Sequence, residues 1–155
     1  MKIQNITGLL LPFLILIFHP GTLENKEATM TKRTIHTVHA PEAIGPYSQA
    51  IRVDRFLFLS GQIGINPETK RVVEGGVEPQ THQIFKNIKA ILAEAGSNIN
   101  QVVKVTVFLK DMSNFKLVNS IYAQNFSEPY PARSAVAVKE LPLAVDIEIE
   151  VMAVI

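Results

Sequence analysis

The chain has 155 residues, enough to close one domain around a real hydrophobic core without covalent staples. It contains no cysteine, which excludes disulfides, thiolate catalysis and cysteine-bearing zinc sites. Fifteen Lys and Arg against fourteen Asp and Glu leave a formal net charge of +1, and the one dense basic spot is Lys32-Arg33, so the electrostatic footprint of a nucleic-acid binder is missing and a small-molecule partner is expected.

In chain order, Leu9 to Phe18 is an apolar run broken by Pro12. It falls far short of the ~20 residues that cross a bilayer as a helix, so no stable membrane span is expected. The run has the length of a signal-peptide core, yet only Lys2 supplies positive charge before it and no small-x-small cleavage site follows. Met30-Thr-Lys-Arg-Thr-Ile reads like a natural protein start. Residues 1–29 are therefore set apart as an N-terminal extension with three readings open: a mis-assigned start, a targeting segment or an ordered extension. The domain is expected over residues 30–155 and in the cytoplasm, or exported or organellar if residues 1–29 act as a targeting segment.

Thr34–Val38, Ala50–Val53 and Phe56–Ile63 are predicted strands by their β-branched and aromatic content. Asn66-Pro-Glu-Thr supplies turn chemistry before a short strand at Arg71–Glu74. After Gly75-Gly76, Pro79 suits a first helical turn, and Ile84, Ile88, Ile91, Leu92 and Ala95 recur at helical spacing until Gly96. Val102–Leu109 is a β-branched run, and Asp111–Asn114 offers N-caps for a second helix marked by Phe115, Val118, Tyr122 and Phe126. Pro129-Tyr-Pro ends it, and Ser134–Val138 and Val145–Val154 read as closing strands joined by a Leu141-Pro142 turn. The expected class is α+β, a mixed, largely antiparallel sheet with two helices. Two helices cannot cover both faces of such a sheet, so the bare face is expected to bury itself against another copy of the chain.

Four segments carry the functional signal: Gly45-Pro-Tyr-Ser-Gln-Ala, Leu59-Ser-Gly-Gln-Ile-Gly, Phe115-Lys-Leu-Val-Asn, and Pro131-Ala-Arg-Ser with Ile147-Glu-Ile-Glu. Singly each has a bland reading: a turn before a strand, a bulge at Ser60-Gly61, a solvated Asn119, a surface Arg133. Together and in this order they resemble the RidA (YjgF) family from about Thr34 to Val154. The resemblance implies the trimeric chorismate-mutase-like fold, sheets inward around a threefold axis, both helices on one face, and sites in the clefts between subunits of a homotrimer. It implies hydrolysis of reactive 2-imino and enamino acids to 2-keto acids and ammonia, without metal or cofactor.

The residues matching the family's site are Tyr47, Ser60, Gly61, Asn119, Arg133 and Glu148, with the main-chain N–H of Ala135 implied as a second carboxylate contact. Arg133 offers a planar fork of donors suited to the carboxylate of an imino acid. On the last strand Asp146, Glu148 and Glu150 alternate with Val145, Ile147, Ile149 and Val151. A solvated edge accounts for Asp146 and Glu150, while the resemblance sets Glu148 opposite the substrate carbon to hold and activate water. The resemblance leaves Tyr47, Ser60 and Asn119 to shape the pocket and hydrogen-bond its occupants rather than to attack anything. One departure is Ala135, where family members commonly carry cysteine, which removes any thiol role there.

Other constellations fail. His36 and His39 would point to opposite faces of a strand and His82 has no partner at i+4, so no metal site is expected. No G-x-S-x-G surrounds Ser60, and Gly75-Gly76 lacks the Lys-Ser or Lys-Thr of a phosphate-binding loop. The rival functions are RNA cleavage or translation inhibition, for which a basic track and stacking aromatics are missing, and a non-catalytic binding or holdase role on the same fold.

Overall fold

The structure is a computed structural model and describes residues 31–155; the extension at 1–29 and the start at Met30 lie outside the described residues. The strands are β1 (Lys32–Ile35), β2 (Ala50–Val53), β3 (Phe56–Leu59), β4 (Gln62–Ile63), β5 (Ile65–Asn66), β6 (Arg71–Val72), β7 (Val102–Leu109), β8 (Ala132–Ala137) and β9 (Ile147–Val154), and the helices α1 (Val77–Glu94) and α2 (Phe115–Asn125). The main sheet runs β1-β2-β3-β9-β7-β8, with β4 also on β9; β5 and β6 form a separate hairpin. Every pairing is antiparallel except β7 with β8. That pair needs a crossover, which α2 provides. The class is the α+β expected.

Alternation along β9 sorts the two faces. Ile147, Ile149, Val151 and Ala153 are buried, with Val105, Val107 and Leu109 of β7, under Ile84, Ile88 and Ile91 of α1 and Val118 and Ile121 of α2. The other face is uncovered: Phe58 pairs with Met152, and Phe108 lies beside Val136 and Glu148. Phe58, Val136 and Met152 are exposed there. No described helix packs on this face, so it carries aromatic and aliphatic side chains into water.

Several boundaries differ from expectation for physical reasons. The first strand ends at Ile35, before His36 and His39, because Thr37 turns the chain into a loop held by Gln49. The predicted strand 56–63 is broken: Phe58 pairs with Met152 but Gln62 with Ile149, so one extra residue is inserted between β3 and β4. That is a β-bulge at Ser60-Gly61. Ile65–Asn66 is a strand rather than only the lead-in to a turn, because Arg71–Val72 folds back on it. The two closing strands are not neighbours; both pair with β7, on opposite sides. Their connection is a single 3-10 turn at Pro142–Ala144, in which Leu143 (φ 54°) and Ala144 (φ 55°) are left-handed. α1 stops as expected, with Gly96 at φ 76° and the amide of Ser97 reaching back to Leu92 O at 2.8 Å.

Candidate functional site

The bulge brings the first group of site residues together. Ser60 and Gly61 leave the regular ladder, and Gly61 comes to rest against the carboxylate of Glu148 on β9. A Cβ at position 61 would stand 2.7 Å from Glu148 Cδ and closer still to Oε1, so only glycine leaves the carboxylate its room. Ser60 donates its hydroxyl to Ser48 O at 2.7 Å, and its amide donates to Gln49 O at 3.0 Å, which ties the bulge to the Tyr47–Gln49 loop. Tyr47, Ser60, Gly61 and Glu148 line one cleft of about 420 Å³ with Pro41, Ile44, Pro142 and Leu143.

Glu148 is half-buried on the uncovered face. Burial pushes its carboxyl above the ordinary glutamate value, and the neighbouring charge of Glu150 pushes the same way. A carboxylate that is costly to ionise is a better proton acceptor than an exposed one once ionised. Asp146 does not share its face: the Asp146 amide donates to Gln80 Oε1 at 2.9 Å, and Gln80 Nε2 donates to the Asp146 carboxylate at 3.4 Å. It sits in the bend just before β9, clamped by α1.

The second group lies elsewhere. Arg133 of β8 pairs laterally with Val105, a core residue, so its side chain leaves from the helix side of the sheet. One stripe of α2 receives it: Phe115, Asn119 and Tyr122 at i, i+4 and i+7. Arg133 Nη1 donates to Asn119 Oδ1 at 2.9 Å, and the guanidinium lies 4.4 Å from the Tyr122 ring centroid and 5.5 Å from that of Phe115. Stacking on an aromatic face fixes the plane of the fork while leaving its other nitrogens presentable to an anion. Burial raises the Tyr122 phenol above its ordinary value, with Arg133 acting in opposition. Ala135, two residues on, is half-buried with its methyl against the core.

Glu148 and Arg133 thus occupy opposite faces of one sheet, and among the described residues they line different clefts. Among the described residues no group of three or more His, Asp or Glu is arranged to hold a metal ion. No described helix is long and apolar enough to cross a membrane.

Four residues outside the expected site set, Gln49 and Gln62 within the quoted motifs and Gln80 and Asn87 beyond them, prove to hold the site's frame. The amide of Gln49 takes Thr37 N at 2.7 Å and gives to Thr37 O and Pro41 O, shaping the loop above the cleft. Gln62 donates to Ser60 O at 3.2 Å. Asn87, fully buried on α1, donates to Ile63 O at 3.3 Å and Ile65 O at 2.9 Å, and Gln80 one turn-pair earlier clamps Asp146. Their signal was present: Gln80 and Asn87 sit at i−4 and i+3 from Ile84, on the apolar stripe, and a polar side chain on such a stripe must find a partner inside.

The family model described as Endoribonuclease L-PSP matches residues 37–155. A RutC family protein of Pyrococcus abyssi is 52% identical over 124 residues, spanning 80% of this chain and 98% of that protein. The 2-iminobutanoate/2-iminopropanoate deaminase of Homo sapiens is 46% identical over 127 residues, spanning 82% of this chain and 93% of that protein. The crystal structure of E. coli TdcF with bound serine superposes with a TM-score of 0.75 at 40% identity, covering 79% of this chain and 98% of that one. With a match over three quarters of its length and relatives near half identical, the chain belongs to the RidA (YjgF) family, the family of that model.

Proposed function

We propose that this protein hydrolyses 2-imino and enamino acids to 2-keto acids and ammonia, in sites that each draw on two neighbouring copies of a homotrimer. The observation that carries the reading is the division of the site residues between two faces. Glu148 with Tyr47, Ser60 and Gly61 opens from the uncovered face, and Arg133 with Asn119 stands at the β8 edge. A small acid needs both an anchor for its carboxylate and a carboxylate to handle water. One chain offers them apart, and a second copy covering the bare face offers them together. The family relatives named as deaminases and the serine-bound relative support a small substrate bearing an amino or imino acid framework.

In the proposed reaction Arg133 and the Ala135 amide of one copy hold the substrate carboxylate, and the stacked guanidinium sets the imine carbon over Glu148 of the neighbour. Glu148 accepts a proton from water as the water oxygen bonds to the imine carbon and the C=N electron pair moves to nitrogen, and it passes that proton to the nitrogen, giving the tetrahedral carbinolamine. Glu148 then takes the carbinolamine hydroxyl proton as the carbonyl forms and the C–N bond breaks, and it delivers this proton to the nitrogen, which leaves as ammonia. Tyr47, Ser60 and Asn119 shape the pocket and orient its occupants. Neither a metal nor a covalent intermediate is required, because the uncatalysed reaction is already feasible and orientation with one base accelerates it. The domain carrying this activity is taken as residues 30–155, with 1–29 an extension outside it; mass spectrometry of the native N-terminus tests that boundary.

The test is complementation. Arg133→Lys and Glu148→Gln proteins are assayed for loss of imine generated in place, alone and after unfolding and refolding together at equal ratio. Each is expected to be nearly inactive alone. The mixture should regain ~25% of parent activity, since one interface in four then unites an intact Glu148 with an intact Arg133. Sedimentation should give a trimer. A mixture no more active than its components, or an active monomer, defeats the shared site. No acceleration by the parent protein, together with salt-sensitive RNA cleavage, would move the function to the endoribonuclease reading.

A further inference from the structure

The cleft above Glu148 has a chemically lopsided wall. Pro41, Ile44, Ile63, Pro142 and Leu143 supply its apolar lining beside Glu148. The polar side chains within it are already engaged by the protein: Ser60 with Ser48 O, Gln49 with the Thr37–Pro41 loop, and Gln62 with Ser60 O. Glu42 and Tyr47 are exposed toward solvent. A hydroxyl or amide on a bound substrate would therefore lose its water and gain little in return, whereas a hydrocarbon side chain loses nothing.

Two residues of that wall are conspicuous. Ile44 is 85% exposed and Leu143 64%, the largest exposures among the large apolar side chains around the cleft, and both also line the adjoining hollow with Val38 and Pro67. Leu143 is moreover held at φ 54°, ψ 22°, a conformation that disfavours a leucine, and Ala144 follows at φ 55°. The turn thus presents an apolar side chain at the lip of the cleft although neither burial in its own chain nor backbone preference favours one there.

We infer that Ile44 and Leu143 are specificity-determining residues that select imino acids with an apolar side chain of several carbons over polar ones of the same size. This rests on the imine-hydrolysing reading above. A cleft of about 420 Å³ exceeds what a two- or three-carbon acid fills, and Ile44 and Leu143 are exposed apolar side chains of its lining.

The experiment compares imines made in place by an amino-acid oxidase from leucine and from asparagine, which are near-isosteric. Parent protein is expected to favour the leucine-derived imine by ~10-fold or more in kcat/KM. Leu143→Asn, a residue that tolerates the left-handed region, should lower that ratio ~5- to 20-fold without lowering the melting temperature, and Ile44→Ser should lower it less. A leucine that served only to hold the turn would instead show a lower melting temperature and an unchanged ratio. A parent ratio near one, or a Leu143→Asn ratio within twofold of the parent, overturns the assignment. Failure to accelerate either imine is a different result, since it defeats the imine-hydrolysing reading on which the assignment rests.

Discussion

The two halves of the candidate site are built in contrasting ways. Around Glu148 the backbone does the work: a bulge inserts one residue, a glycine vacates the space, and a carboxylate is left half-buried beside a second acid. Around Arg133 side chains do the work: a charged group at a sheet edge is laid on two aromatic rings and pinned by one amide. The first arrangement makes a group unhappy in its charged form and therefore reactive. The second makes a charged group comfortable and therefore well aimed. A base benefits from the former and an anchor from the latter.

The contrast predicts that the two halves fail differently. Glu148→Gln keeps size and hydrogen bonding but cannot accept a proton, so turnover should fall by the ~10² to 10⁴ typical of a lost general base while calorimetry shows near-normal binding of a 2-keto acid. Arg133→Lys keeps charge but loses both the fork and the stacking plane, so keto-acid binding should weaken along with turnover. Equal binding by the two variants would erase the distinction between base and anchor.

Gly61→Ala sharpens the same point from the backbone side. The added methyl must displace the Glu148 carboxylate, and a misplacement of about 1 Å at a reacting group costs ~10²-fold in rate. Keto-acid binding through Arg133 should persist. If the rate is unchanged, the carboxylate is not held where the bulge puts it.

The smallest effect concerns stability. Because the folded-state pKa of Glu148 is raised, the fold is favoured by its proton: that contribution is complete below the ordinary glutamate pKa and is lost as pH rises through the raised value. Glu148→Gln never ionises and escapes the loss. Its melting temperature should exceed the parent's by ~1–3 °C at neutral pH, with the difference vanishing below about pH 4. A variant less stable than the parent at neutral pH would mean that the carboxylate is stabilised by a charge the isolated chain does not carry, such as Arg133 of a neighbouring copy, and would tie the two halves together by another route.

That the chain offers no thiol for chemistry could be judged from composition, because it depends only on which residues exist. Both helices, α2 with its ladder Phe115, Val118, Tyr122, and the β7 and β9 runs were legible too, since periodicity of 3.6 or 2 is imposed by local geometry and one buried face. The residue set Tyr47, Ser60, Gly61, Asn119, Arg133 and Glu148 came from motif order. Which of these share a cleft did not, because that depends on strand order and register. The insertion of β9 between β3 and β7, the one-residue slip at Ser60-Gly61 and the parallel β7–β8 pair are long-range pairings with no local signature. The registers of β9 and β8 on β7 put Glu148, beside Phe108, and Arg133, beside Val105, on opposite faces. The sequence alone determined which side chains were available for chemistry; only the tertiary structure decided that they stand apart within one chain, because a side chain's face is fixed by its parity in a ladder and parity changes with every inserted residue.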